Sequence, residues 1–371
     1  MKPIALVVFA TTVLPAASTW GQAVGPRGVV RPDASPYAEP IARARTLLLA
    51  AMQRSSVPGA AVTVIKDGRI IWSEGLGYAD VEQKVRVTTQ TKFRVYSISK
   101  SLTSAGLGLL VQEGKVDLDA PVQQYVPTFP LKQYPVTTRQ LAGHLAGIRG
   151  YMGTEYLNQR PFRTVAEGVA LFQDDSLLFR PGDRYFYTSY DFTLISAVIE
   201  GVSGEPFLTF MRRRVFDPLG MRHTVADRAD SLIPSRAEWY TRDSTAVMVK
   251  APYVDNSYKW AGAGFLSTTE DLALFGAAMF GKRLLHPRTV QLLWTSQRTS
   301  DGTRTGYGLG WFVAADPGGR PIVGHDGGRS ALLIVYPEQK FVFAFLSNSD
   351  QPNPVFEADI CELFLVAAAP R

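Results

Sequence analysis

Phe93-Arg94-Val95-Tyr96-Ser97-Ile98-Ser99-Lys100-Ser101, followed by Glu113-Gly114-Lys115-Val116-Asp117-Leu118-Asp119, decides how the rest of this chain reads. From Ser97 onward, Ile98, Leu102, Ala105 and Leu109 recur at helical spacing until Gly114 stops the pattern. Residues three apart on a helix share a face, which sets Lys100 beside Ser97. A helix start carries unpaired N–H groups and the positive end of the dipole, so it favours an alkoxide and disfavours an ammonium. Desolvation would lower the lysine pKa further. Serine is also a common N-cap, so these four residues alone leave a structural and a chemical reading open. Among the lysines only Lys100 has a serine three residues before it.

Outward from that helix the pattern changes in both directions. Toward the N-terminus, Ala60–Lys66 and Arg69–Gly77 are β-branched and aromatic runs joined by Asp67-Gly68, a strong hairpin signal. Ile41, Ala44, Leu48 and Ala51 before them carry helical spacing. Toward the C-terminus, helical patterns alternate with Pro- and Gly-bearing loops up to about residue 250, with few strand signals. Strand character returns in a second hairpin, Ser330–Tyr336 and Phe341–Ser347, and Pro354–Ala368 is again helical. The expected fold class is therefore α/β (α+β): one antiparallel sheet built from both chain ends, flanked by helices, with an inserted helical lobe. The expected sheet lobe spans residues 41–96 and 250–371, and the helical lobe 97–249. No internal repeat is visible.

With 371 residues, 46% of them hydrophobic, the chain can bury a large core, which excludes a disordered or fibrous protein. The net charge of +6 is scattered; its one tight run, Arg212-Arg213-Arg214, reads as a solvated helix face rather than a nucleic-acid track. Cys361 is the sole cysteine, so no internal disulfide forms, and it reads as a small apolar core residue. The four histidines, His144, His223, His286 and His325, lack metal-ligand spacing. Neither a Gly-x-Ser-x-Gly elbow nor a His-Glu-x-x-His helix occurs. Lys2 ahead of the apolar run Ile4–Ala17, with Gly21 and Ala23 behind it, reads as a signal peptide over residues 1–23. A tether over 24–40 follows. The expected setting is periplasmic or extracellular, with a membrane-anchored form as the alternative.

The two stretches quoted first jointly resemble the serine β-lactamase and penicillin-binding-protein superfamily, on its class C β-lactamase and esterase side. His144-Leu145-Ala146-Gly147-Ile148-Arg149-Gly150-Tyr151 and Trp260–Thr268 bring the chain nearest to the β-lactamase-like serine proteins of animal mitochondria. These two stretches read as packing and loop-shaping elements. The resemblance implies the β-lactamase/transpeptidase-like fold, with Ser97 as nucleophile and Lys100 and Tyr187 as proton carriers. An adjacent positive charge lowering the phenol pKa would suit Tyr187 to that role. Tyr187-Thr188-Ser189 matches the family's Tyr-x-Asn motif with serine in place of asparagine, and His325-Asp326-Gly327 matches the motif written Lys-Thr-Gly or His-x-Gly. Ser189, His325, Gly327 and Gly328 are thereby expected to bind substrate, the last through its N–H together with that of Ser97.

The substrate implied is a small molecule or peptide with an ester, amide or lactam carbonyl. No metal, organic cofactor or nucleic acid is needed. Because Ser189 and His325 depart from the lactamase pattern, an esterase or peptidase is expected over an efficient β-lactamase. The alternatives are a D-alanyl-D-alanine carboxypeptidase or class C-type β-lactamase, and a non-catalytic protein that binds peptidoglycan or a partner.

Overall fold

The opening and closing hairpins of the chain pair edge to edge in the computed structural model, which describes residues 36–281, 283–328, 330–350 and 357–367. Strands β1 (Gly59–Lys66) and β2 (Arg69–Asp80) are joined by Asp67 and Gly68, both at positive φ, 50° and 75°. That is the two-residue turn whose twist matches the flanking strands. The main sheet continues through β3 (Val85–Arg86), β4 (Phe312–Ala315), β5 (Pro321–Gly327), β6 (Ala331–Tyr336) and β7 (Phe341–Ser347). Its spatial order is β3-β2-β1-β7-β6-β5-β4, every pairing antiparallel, with Ala60 opposite Ser347 and Val64 opposite Phe343.

Alternation along β1 assigns its two faces to two cores. Val62 and Val64 pack with Phe343, Phe345, Leu48 and Phe364 against helices α1 (Ala38–Ser55) and, at the other chain end, Glu357–Ala367. Cys361 lies buried in this layer. Ala61 and Ile65 face the larger core, where α2 (Ile98–Gln112), α3 (Ser189–Ser203) and α4 (Thr269–Phe280) gather. Each fully buried Leu, Val or Phe there contributes about 1.5–3 kcal/mol. Helix α2 is the axis of this core: Ile98 through Leu110 are all buried. Among the described residues no single helix is long and apolar enough to cross a membrane.

Several boundaries differ from expectation. Helix α1 begins at Ala38, inside the span read as tether, whereas Met1–Ala23 and the expected signal lie outside the described residues. His325-Asp326-Gly327, expected just before the closing hairpin, ends a strand of its own, β5, beyond which β4 forms the sheet edge. Gly324 and Asp326 break the alternation that would have marked β5 as a strand. The Arg212–Phe216 run forms a π-helical turn in which Arg213 pairs with Glu205 and Arg214 with Glu113, so its charge is locally neutralised. A small sheet of Phe93–Arg94, Phe265–Ser267 and Val225–Ala226 holds the segment leading into Ser97.

Candidate active site

Ser97 sits at the N-cap of α2, immediately after Tyr96, which is held at φ 43°. A bulky residue at positive φ is strained, and the strain fixes the chain's turn into the helix. The Ser97 side chain makes no capping hydrogen bond. Instead the Lys100 Nζ donates to Ser97 Oγ at 3.1 Å, to Ser189 Oγ at 3.0 Å and to the Gly262 carbonyl at 2.9 Å. Lys100 is fully buried and, among the described residues, has no ion-pair partner. Burial pulls its pKa down to about 7, opposed by Asp191 and Asp326 and assisted by the charge of Lys259. An amine so tuned is substantially neutral near pH 7 and can accept the serine proton.

A pH dependence follows from this. A base depressed to about 7 is active when deprotonated, so kcat/KM should rise with pH through about 7 and level off above it. A pH profile with an acid limb near the ordinary lysine value, or none between pH 5 and 9, would assign the base elsewhere.

Tyr187 enters from the loop before α3, whose N-cap Thr188 accepts from the Tyr190 N–H. Its hydroxyl is hydrogen-bonded with Ser97, and Lys100 Nζ stands 4.6 Å from its ring centroid. Burial pushes the phenol pKa well above its ordinary value, the Ser97 hydrogen bond partly opposing. The expectation that positive charge would lower this pKa is therefore not met. Desolvation dominates, so Tyr187 is a neutral hydroxyl able to donate a proton.

The opposite wall comes from the sheet. A Cβ at Gly327 would run into the Val95 carbonyl and the Ala331 side chain, so only glycine lets β5 lie against the strand entering Ser97. Gly328 follows at φ 65°. Among the described residues neither the Ser97 nor the Gly328 N–H has an acceptor. Two unsatisfied amides beside a serine hydroxyl are a donor set that could hold an oxyanion.

His325 and Ser189 differ in kind from the expected substrate contacts. The His325 Nδ1 lies 2.7 Å from the Asp326 carbonyl, which can only accept, so Nδ1 carries the proton and Nε2 accepts from the Tyr307 hydroxyl at 2.9 Å. Burial draws its pKa down to about 3, with Lys100 adding to the fall. His325 is thus a neutral, committed ring behind Tyr187, and Ser189 Oγ is a buried partner of Lys100. His325 is no free donor to substrate, and Ser189 is buried.

Three residues that sequence reasoning missed, His144, Tyr151 and Gly262, lie in stretches read as packing, while Asp191 and Lys259 lie outside them. Gly262 supplies a carbonyl to Lys100, and Tyr151 hydrogen-bonds with Ser189. The buried His144 Nδ1 pairs with Asp191 Oδ2 at 2.7 Å, and its ring lies 4.4 Å from that of Tyr187. Lys259 lines a cleft of about 370 Å³ with Arg94, Tyr96, Tyr156, Trp239 and Gly327. Among the described residues no three His, Cys, Asp or Glu side chains form a metal-ligating group.

The chain is similar to known proteins over most of its length. The chain is 32% identical to the mitochondrial serine beta-lactamase-like protein LACTB of Bos taurus, over 90% of this chain and 78% of that one. It is 26% identical to Penicillin-binding protein 4* of Bacillus subtilis, over 80% and 69%. Among solved structures it superposes on the octameric penicillin-binding protein homologue from Pyrococcus abyssi with a TM-score of 0.77 at 26% identity, covering 88% and 77%. On a D-stereospecific amidohydrolase from Streptomyces sp. the TM-score is 0.74 at 25% identity, covering 86% and 98%. The profile of the Beta-lactamase family matches residues 44–368, which include the serine, the lysine, the tyrosine and both walls of the cleft, and the chain belongs to that family.

Proposed function

We propose that this protein is a serine hydrolase that forms an acyl-enzyme on Ser97 and cleaves ester, amide or peptide bonds. The observation that carries this reading is the 3.1 Å hydrogen bond from a buried lysine without an ion-pair partner to the Ser97 hydroxyl. Neutral Lys100 takes the Ser97 proton as Oγ attacks the carbonyl carbon. The resulting oxyanion accepts from the Ser97 and Gly328 amides. As the bond to the leaving group breaks, Tyr187 gives that group its proton and is resupplied from the Lys100 ammonium. Water then attacks the acyl carbon, loses its proton to the same pair, and the acid departs from regenerated Ser97. The Lys2-headed apolar run supports an exported setting for this activity.

Esterase or peptidase activity is favoured over efficient β-lactam turnover because the His325 N–H is committed to the Asp326 carbonyl and Ser189 is a buried acceptor of Lys100. The expected result is that p-nitrophenyl acetate is hydrolysed faster than a penicillin under the same conditions. Peptide mapping after fluorophosphonate treatment should find the adduct on Ser97. Faster penicillin turnover would overturn the preference; absence of labelling at Ser97 would overturn the hydrolase reading itself.

A further inference from the structure

His144 and Asp191 form a buried pair beside the reacting groups that the proton path through Ser97, Lys100 and Tyr187 does not use. His144 Nδ1 lies 2.7 Å from Asp191 Oδ2, and both side chains are closed to solvent. Their other polar atoms, His144 Nε2 and Asp191 Oδ1, are buried without a hydrogen-bond partner among the described residues. A half-satisfied polar pair in a core costs stability that an apolar pair of the same shape would not, so its retention calls for a role. Backbone strain points the same way. His144 is held at φ 58°, a conformation that residues other than glycine adopt rarely.

What the pair touches is the segment that carries Tyr187. The His144 carbonyl accepts from the Phe186 N–H at 2.8 Å, and the Thr188 N–H nitrogen lies 3.5 Å from Nδ1, so both chain neighbours of Tyr187 rest on one residue. The imidazole ring lies 4.4 Å from the Tyr187 ring. The Tyr307 ring, 4.9 Å from His144 and 6.1 Å from Tyr187, packs against both. Asp191, in the first turn of α3, fixes the rotation of the imidazole through the bond to Nδ1. Burial draws the His144 pKa well below its ordinary value, with Lys100 and His325 adding, and pushes the Asp191 carboxyl well above its own, with Lys100 opposing. Two neutral groups then share one hydrogen bond, the carboxyl donating to Nδ1. Such a pair acts by position rather than by charge, and a displacement of about 1 Å in a reacting group costs on the order of 10²-fold in rate.

We infer that His144, oriented by Asp191, is a positioning residue for Tyr187, holding the phenol where it protonates the leaving group. The inference rests on the acyl-enzyme reading and adds to it the residues that aim its proton donor.

Two butyrate esters test this, because they share an acyl group and differ in what the leaving group needs. p-Nitrophenolate departs without a proton, whereas ethanol must be given one. His144→Asn should lower kcat/KM for ethyl butyrate by at least about tenfold and for p-nitrophenyl butyrate by less than about threefold. Asparagine is among the residues that accept positive φ, so the backbone at this position is kept, and the ratio of the two esters cancels any loss of folded protein. Asp191→Ala should reproduce the selective loss. Asp191→Asn, whose amide can still donate to Nδ1, should restore most of the native ratio. In a Tyr187→Phe background, His144→Asn should change ethyl butyrate hydrolysis by less than about twofold, since the donor it aims is gone. Equal losses on the two esters in His144→Asn and Asp191→Ala, or a full loss added to that of Tyr187→Phe, would reduce the pair to a structural role and overturn the inference while leaving the hydrolase reading intact. Failure of the native protein to hydrolyse p-nitrophenyl butyrate would instead remove the reading on which it rests.

Discussion

Ser97→Ala should lower hydrolysis of p-nitrophenyl acetate by at least about 10⁴-fold, the scale seen when a nucleophile is removed from a unit that acts together. It should also abolish fluorophosphonate labelling. The thermal midpoint should stay within a few degrees of the native value. An ordinary N-cap serine costs about 1 kcal/mol on truncation because its oxygen satisfies a helix amide. The Ser97 oxygen does not, since it is engaged by Lys100 and Tyr187. Truncation therefore removes one acceptor from Lys100, which keeps Ser189 and the Gly262 carbonyl. Unchanged turnover together with a fall in the midpoint of the full capping size would return Ser97 to a structural role.

Lys100→Met should slow turnover by about 10²–10⁴-fold, the usual contribution of a positioned base. Methionine approximates the lysine stem, so the packing around α2 is kept while the amine is lost. The stability change has two opposing parts. The Gly262 carbonyl loses its donor, which costs about 1–3 kcal/mol for a buried group, whereas a desolvated amine no longer has to be accommodated. The decisive measurement is the rate constant of Ser97 phosphonylation by fluorophosphonate. It should fall by the same factor as turnover, because both need the same proton removed. Phosphonylation at the native rate with slow turnover would confine Lys100 to the later hydrolysis of the acyl-enzyme.

Local pattern made much of this protein legible. The period of α2 puts Lys100 on the face of Ser97, because three residues of helix leave little other choice. Asp67-Gly68 announced its hairpin for a similarly local reason, since few other residue pairs take positive φ twice in succession. Strand β5 was not legible as a strand. Its residues are chosen for close approach at Gly324 and Gly327 rather than for alternation, and that approach exists only once β6 and the Val95 segment are in place.

The site divides along the same physical line. Residue types and their spacing along the chain determined the sheet from both ends and the helix that carries Ser97 and Lys100, whereas Tyr187, Gly327 and Gly328 were singled out by the family resemblance alone. Only the tertiary structure decided what each polar group touches and how much water it loses. Burial, which no local pattern encodes, holds the Tyr187 phenol protonated and leaves His325 neutral. Contacts distant in sequence turn Ser189 toward Lys100 and, among the described residues, leave Lys259 without an ion-pair partner at the cleft wall. Desolvation and hydrogen-bond partnership are properties of the assembled environment, and they set the chemistry of a titratable side chain more strongly than its neighbours in sequence do.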